Sequence, residues 1–299
     1  MRVIRQSTLA RRVSLSGVGL HTGETSRVTL CPAAEDSGVV FFRTDADGNR
    51  NGAPIAATIA MIGDTRLGTS LLPAEGRSVR TIEHLMAAVS LAAIDNLEVE
   101  IAGDELPILD GSAAPYLDAL VRAGTRRQRS AQTVIKIISP IEVSDGERLI
   151  RATPCERRLI DVSIQFSDRA IGAQSLSLDL DDPAAIRRLA NARTFCRLSD
   201  VTAMRAAGLS LGGSLDNAIV VDDGKILNEA PLRDPHEFAL HKALDLVGDL
   251  ALAGAPIIGR LEAIRPGHDL NARFLRRLLA ENACIERSAA GVSLVRATA

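Results

Sequence analysis

The 299-residue sequence predicts an α+β fold made of two similar halves, and three observations point there. Apolar runs suited to strands and amphipathic runs suited to helices are segregated rather than alternating, which disfavours a doubly wound parallel sheet. The length is about twice that of a typical ~150-residue domain. An order of helix, turn, strand, loop and helix also recurs on both sides of residue 130. It runs through 81–94, 96–101, 106–111 and 112–121, then through 237–253, 257–264, 265–267 and 269–279. Hydrophobic residues at 46% and charged ones at 24% are the balance of a globular chain, so both halves can bury a core. With Trp 0, Tyr 1 and Phe 6, that core is aliphatic.

Residues 8–15 begin the first strand. The start of the chain, with Arg2, Arg5, Arg11 and Arg12, is basic but lacks the apolar stretch of a secretory signal, so it reads as the approach to that strand. Runs of Val, Ile, Leu or Phe bounded by Gly, Pro or Asp predict strands at 28–30, 39–43, 97–101, 134–143, 159–166 and 257–264. The Gly-rich stretch 17–23 lacks the ending of a phosphate loop and a following helix, so it predicts a turn between strands. Apolar positions three and four apart predict helices at 78–93, 112–123, 183–191, 199–207, 236–253 and 269–282. Between them, 124–132 carries Arg126, Arg127 and Arg129 without apolar periodicity and predicts a linker, dividing the chain into domains 1–128 and 129–299. Asp222-Asp223-Gly224-Lys225 predicts a hairpin turn.

Composition excludes several functions. A net charge of -2 gives no overall attraction to nucleic-acid phosphates, and so few aromatic rings cannot stack along a single strand. The longest weakly polar stretches, 85–94 and 250–259, are about half the ~20 residues that cross a bilayer. Cys31, Cys155, Cys196 and Cys284 are scattered singly, which fits a reducing cytoplasm.

Five histidines, His21, His84, His236, His241 and His268, bound the metal sites the chain could build. His241, Asp245 and Asp249 are spaced four and four, which places them on successive turns of one helical face. Burying two carboxylates and an imidazole is costly unless they pair or bind a cation. Taken alone, the same stripe would suit a solvated surface. Glu83 and His84 lie about 100° apart on another helix, so one can ligate while the other reaches a reacting water. His84, His241 and Asp245 then make the three-ligand set that leaves zinc an open fourth position, with Glu83 as general base. His268 is the candidate acid for a leaving amine, its imidazolium favoured by Asp249, and Lys242 can add charge at a developing oxyanion. Thr194 offers a hydroxyl for the same purpose. No HExxH, nucleophile-elbow GxSxG or CxxC pair is read as supporting the corresponding enzyme classes.

The segments SGVGLHTGE (16–24), TIEHLMAA (81–88), LPILDGSAAPY (106–116), ARTFC (192–196), GLSLGGSLDNAIVVDD (208–223), HKALDLVGDL (241–250) and GHDLN (267–271) run in order across nearly the whole chain. Together they resemble the UDP-3-O-acyl-N-acetylglucosamine deacetylases. The resemblance implies a zinc amidase that removes acetate from a UDP-linked, 3-O-acylated glucosamine in lipid A synthesis, with two domains of one fold, sheets on helices, and the active site between them. It implies His84, His241 and Asp245 as zinc ligands, Glu83 as base, His268 as acid, Asp249 as its partner, and Thr194 and Lys242 as transition-state or substrate contacts. An acyl passage maps to 195–220, where Phe195, Leu198, Val201, Leu209, Leu211 and Ile219 accompany Gly212, Gly213 and Ala218. Arg197 departs from the aromatic residue found there in a well-known relative. One zinc per chain is expected, with ferrous iron an alternative in the cell, in a cytoplasmic monomer without the dehydratase domain of some fused relatives. Two other readings remain at this point: a zinc hydrolase of another amide, and a binding protein whose His and Asp helix is a metal staple.

Overall fold

The first half of the chain forms β1 (Arg5–Leu9), β2 (Val13–Val18), β3 (Thr25–Pro32), β4 (Val39–Thr44) and β5 (Arg50–Ala56), then α1 (Glu83–Leu91), β6 (Leu97–Ala102) and α2 (Ala114–Ala123). The structure, a computed structural model, describes residues 4–281 except 46 and 75, and the backbone of 285–289. Five strands lie in the order β2-β3-β6-β4-β5, with β6 antiparallel to β3 and parallel to β4. In β6, Leu97, Val99 and Ile101 are buried while Glu98 and Glu100 are partly exposed, the period-two pattern of a sheet covered on one face.

The second half continues with β7 (Thr125–Ala131), β8 (Thr133–Ile137), β9 (Ile141–Asp145), β10 (Arg148–Thr153), β11 (Arg158–Gln165), β12 (Ala173–Asp179) and α3 (Pro183–Ala190). After these come β13 (Phe195–Arg197), α4 (Leu198–Ala206), β14 (Ile219–Asp222), β15 (Lys225–Ile226), α5 (Glu237–Leu250), β16 (Ile257–Ile264), α6 (His268–Ala280) and β17 (Ile285–Ala289). Here the order is β9-β10-β16-β11-β12, and β16 is again antiparallel to one neighbour, β10, and parallel to the other, β11. In both sheets the strand that follows the buried helix, β6 after α1 and β16 after α5, enters the middle. β8 extends the second sheet beside β16, and β17 pairs with β8.

Helices α1 and α5 pack against each other, and α5 also packs on β11 and β12 of the second sheet. Every residue of α5 except Lys242 is buried, as expected of a helix that is mostly apolar all round. Gly248 sets the approach: a β-carbon there would lie 2.1 Å from the Glu83 carbonyl oxygen, so the two backbones touch. Among the described residues no helix is long and apolar enough to cross a membrane.

Several sequence expectations are corrected. The predicted linker is β7, which pairs antiparallel with β1; its side chains lie mostly in water, so it lacks the alternation of a half-buried strand. The stretch 8–15 is divided, because the chain leaves the β1–β7 ribbon after Leu9 and joins the first sheet at Val13. The stretch 134–143 breaks into β8 and β9 around Pro140, which has no N–H for a ladder. The helix expected from 78 starts at Glu83, since Thr81 has φ 56°, a left-handed conformation outside any helix. β5, β10 and β12 lie outside the predicted strands, and β5 is exposed along most of its length. The 17–23 turn and the Asp222 to Lys225 hairpin are as expected. Cys31, Cys155 and Cys196 are free thiols, whereas Cys284 and residue 282 of the last predicted helix lie outside the described residues.

Candidate active site

The close crossing at Gly248 sets the first turn of α1, with Glu83 and His84, against the polar stripe of α5. The His84 and His241 rings meet nearly perpendicular, with centroids 5.1 Å apart. His241 Nε2 lies 3.3 Å from Asp245 Oδ1, and His84 Nε2 lies 4.0 Å from the same oxygen. One ligand atom from each residue falls within 4.8 Å of the others, and all three residues are buried. His241 Nδ1 donates to the Ala192 carbonyl at 3.0 Å, which leaves the Nε2 lone pair facing Asp245.

Burial first, and then the neighbouring His241, pushes the His84 pKa down to about 3; burial also lowers His241. The same burial raises Asp245, but Lys242 and the surrounding histidines override it and hold the carboxyl below the usual carboxylate range. Neutral imidazoles beside an ionised carboxylate are the protonation states that a divalent cation requires. The three residues therefore fit a zinc ion by donor type, convergence and charge.

Glu83 lies outside that donor set but lines the same cavity. Its Oε2 accepts the Thr69 N–H at 3.0 Å, and Gly68 leaves room, since a β-carbon there would lie 2.9 Å from Oε1. Burial pushes Glu83 up to about 7; His268 pulls it down, while Asp249 and Asp245 push it further up. His268 opens α6, and its Nδ1 donates to Asp249 Oδ2 at 2.8 Å. Burial alone would lower His268, but the charge and hydrogen bond of Asp249, aided by Asp245 and Glu83, raise it to about 9. A carboxyl near 7 and an imidazole near 9 in one pocket are environments pushed towards base and acid.

A cavity of about 380 Å³ is lined by Glu83, His84, Thr194, Phe195, His241, Lys242, Asp245 and His268. It shares Leu20, Leu67, Thr194, Phe195 and Lys242 with a larger cavity of about 870 Å³. The shared wall is firmly held. Arg193 forms a buried 2.8 Å ion pair with Glu237, the Thr194 N–H donates to the Gly111 carbonyl at 2.8 Å, and Phe195 packs edge-on against Phe238 at 5.0 Å. Lys242 Nζ stands 2.6 Å from Asp245 Oδ2.

The passage candidates are divided. Phe195, Leu198, Val201, Gly213 and Ala218 line the larger cavity. Ile219 does not: it is fully buried in the core, and the alternation of β14 turns Val220 to the cavity instead. Leu209 lines an adjoining cavity with His21, Arg66 and Leu67, and Leu211 is exposed. Gly212 seats its backbone on the Gly19 carbonyl, where a β-carbon would come within 2.2 Å. Arg197 pairs with Asp200 at 2.8 Å on the larger cavity's wall. Contrary to the expectation that no GxSxG is present, Gly208-Leu209-Ser210-Leu211-Gly212 has that spacing, but Ser210 follows helix α4 rather than a strand, so it is no nucleophile elbow. His236 is exposed at the start of α5, 3.8 Å from Asp234. Three positions that shape the site also escape sequence reasoning. Gly248 and Asn271 sit inside quoted motifs, whereas Thr69 belongs to none.

Fold and site together fit a metal-dependent hydrolase: an α+β chain whose buried His-His-Asp group, a candidate metal site, lines one cavity with Glu83 and His268. The family model for UDP-3-O-acyl N-acetylglycosamine deacetylase matches residues 6–280. The chain is 45% identical over 279 residues to the UDP-3-O-acyl-N-acetylglucosamine deacetylase of Anaeromyxobacter sp. (strain Fw109-5), covering 93% of this chain and 90% of that protein. It is 45% identical over 275 residues to that of Phenylobacterium zucineum (strain HLK1), covering 92% and 93%. To that of Neisseria meningitidis (strain FAM18) it is 41% identical over 284 residues, covering 94% and 92%. This chain belongs to the UDP-3-O-acyl-N-acetylglucosamine deacetylase family.

Proposed function

We propose that the chain hydrolyses the acetamide of a UDP-3-O-(3-hydroxyacyl)-N-acetylglucosamine, releasing acetate and the free 2-amine, the committed step of lipid A biosynthesis. The observation that carries this reading is the adjacency of the two cavities: the ionisable cluster lines the smaller one, which shares Thr194 and Phe195 as lining with a larger, mainly apolar one. His84, His241 and Asp245 would hold one zinc, or ferrous iron in the cell, which when bound supplies Lewis-acid chemistry by polarising a carbonyl and acidifying water.

The chain's own residues supply the rest. Glu83 keeps Oε2 on the Thr69 N–H, so Oε1 is the oxygen that takes a proton from the attacking water. His268 keeps Nδ1 on Asp249, so Nε2 is the atom that delivers a proton to the departing amine. Lys242 and the Thr194 hydroxyl face the oxyanion as it forms. The acyl chain occupies the larger cavity, where each buried methylene contributes about 0.8 kcal/mol towards positioning the acetamide.

The enzyme acts in the cytoplasm as a monomer whose two domains, 1–128 and 129–299, share one fold with the active site at their interface. The repeated strand order of the two sheets supports that division. Acetate release from the acylated substrate, set against non-acylated UDP-N-acetylglucosamine, tests the function. The acylated substrate is expected to have the higher kcat/KM by at least about 100-fold, and equal rates would defeat the assignment.

A further inference from the structure

We propose that Thr69 is a positioning residue for this reaction, one that couples the base to the acid by holding Glu83 through its backbone and Asp249 through its side chain. The inference rests on the roles proposed above for Glu83, Asp249 and His268, and adds a residue that no motif marks. Thr69 is 1% exposed and lies in the loop before α1. Both of its backbone groups are tied to the start of that helix: the N–H donates to Glu83 Oε2 at 3.0 Å, and the carbonyl accepts the Ile82 N–H at 3.1 Å. The side chain reaches the other way, to α5, where Oγ1 lies 2.5 Å from Asp249 Oδ1.

A hydroxyl has one proton, and at that distance from a carboxylate oxygen the proton is committed to Asp249. Oγ1 also comes within 3.3 Å of His268 Nδ1, but it has no second proton to offer there. Nδ1 therefore keeps its own hydrogen and donates it to Asp249 Oδ2 at 2.8 Å. Asn271 Nδ2 donates to the same Oδ2 at 2.7 Å. Donors thus grip both carboxylate oxygens, Thr69 on one and His268 with Asn271 on the other, and the carboxylate plane cannot turn. With Nδ1 fixed, the imidazole presents Nε2 to the catalytic cavity, 4.0 Å from Asp245 Oδ2. Among these contacts, the hydroxyl of Thr69 links the first half of the chain to the Asp249 carboxylate.

Thr69→Val removes the hydroxyl while keeping the volume and the backbone N–H on Glu83. Its kcat is expected to fall about tenfold with KM changed less than about twofold, a fraction of the ~10² to 10⁴ that a general acid contributes. Metal content stays at the wild-type level. Thr69→Ser, which restores the hydroxyl, returns kcat to within about threefold of wild type. In an Asp249→Asn background Thr69→Val should cause no further loss, because the group it acts through is already changed. Wild-type kcat in Thr69→Val, or an equal loss in both backgrounds, would overturn the proposal. Wild-type kcat in Asp249→Asn alone would instead overturn the roles on which it rests. If the valine variant does not fold, Thr69→Ala removes the same hydroxyl with less crowding and answers to the same expectations.

Discussion

The two halves of the molecule share a strand order yet divide the chemistry unequally. In the first, the helix that precedes the central strand is nine residues long and apolar after its first turn except at Ser90, so it contributes Glu83 and His84 from one end. In the second, the corresponding helix is 14 residues long and carries His241, Asp245 and Asp249 along one face, with His268 at the start of the helix that follows. The insertions differ as well. The first half places a loop with Gly68 and Thr69 before its helix, and the second places β13, α4, β14 and β15 before its own, building the apolar cavity. The candidate metal group thus draws on both halves of the chain, His84 from the first and His241 and Asp245 from the second.

The sharpest way to break that comparison is to remove a ligand from each side in turn. His84→Ala and His241→Ala are expected to lose the metal equally after chelation and repletion, and to fall to the activity of the metal-free protein. Metal analysis that found a full equivalent in either variant would show that one half suffices.

Glu83→Ala should separate the two functions of α1. Turnover is expected to fall by about 10² to 10⁴ while metal stays bound, because this carboxylate accepts from Thr69 and is not one of the three converging donors. Loss of metal together with turnover would move Glu83 among the ligands, and slowing of less than about tenfold would remove its role as base.

The seam itself can be tested at Gly248. A β-carbon there meets the Glu83 carbonyl oxygen at 2.1 Å, so Gly248→Ala forces α1 and α5 apart. Overpacking of this kind costs about 1–3 kcal/mol, which thermal or denaturant unfolding would register. Metal affinity should weaken in the same variant, because His84 would retreat from His241 and Asp245. Unchanged stability and affinity would mean that the crossing does not set the site.

How much of this was legible in the sequence follows from where each signal lives. The spacing of His241, Asp245 and Asp249 is a property of one helix, so periodicity alone exposed the stripe. The α+β class and six helices were equally local, because a buried face leaves its period in the chain. β7 was hidden because an exposed strand has no alternation to read, and the β1–β7 pairing joins residues over 100 positions apart. Ile219 was assigned to the wrong side of β14, since alternation gives two faces without saying which one meets the cavity. Thr69 left no trace at all: its role depends on Asp249 and His268, which reach it only through tertiary packing.

The pH dependence of turnover gives the comparison its finest test, because the roles proposed for Glu83 and His268 assign one limb to each half. Glu83, pushed up mainly by burial to about 7, is an effective base only above that pH, so the acid limb belongs to the first half. His268, raised to about 9 against the effect of burial, is protonated below that pH, so turnover falls as the pH rises through it and the alkaline limb belongs to the second half. Asp249→Asn removes the charge that supports the imidazolium but leaves burial in place, and burial favours the neutral ring. The alkaline limb should therefore move to lower pH by about one unit or more, while the acid limb moves less. The plateau between the limbs narrows, and the maximum falls as fewer molecules hold a deprotonated Glu83 and a protonated His268 together. An alkaline limb that stayed near 9 in Asp249→Asn would show that the amine takes its proton from another group. A shift of the acid limb alone would place the two titrations in the opposite halves.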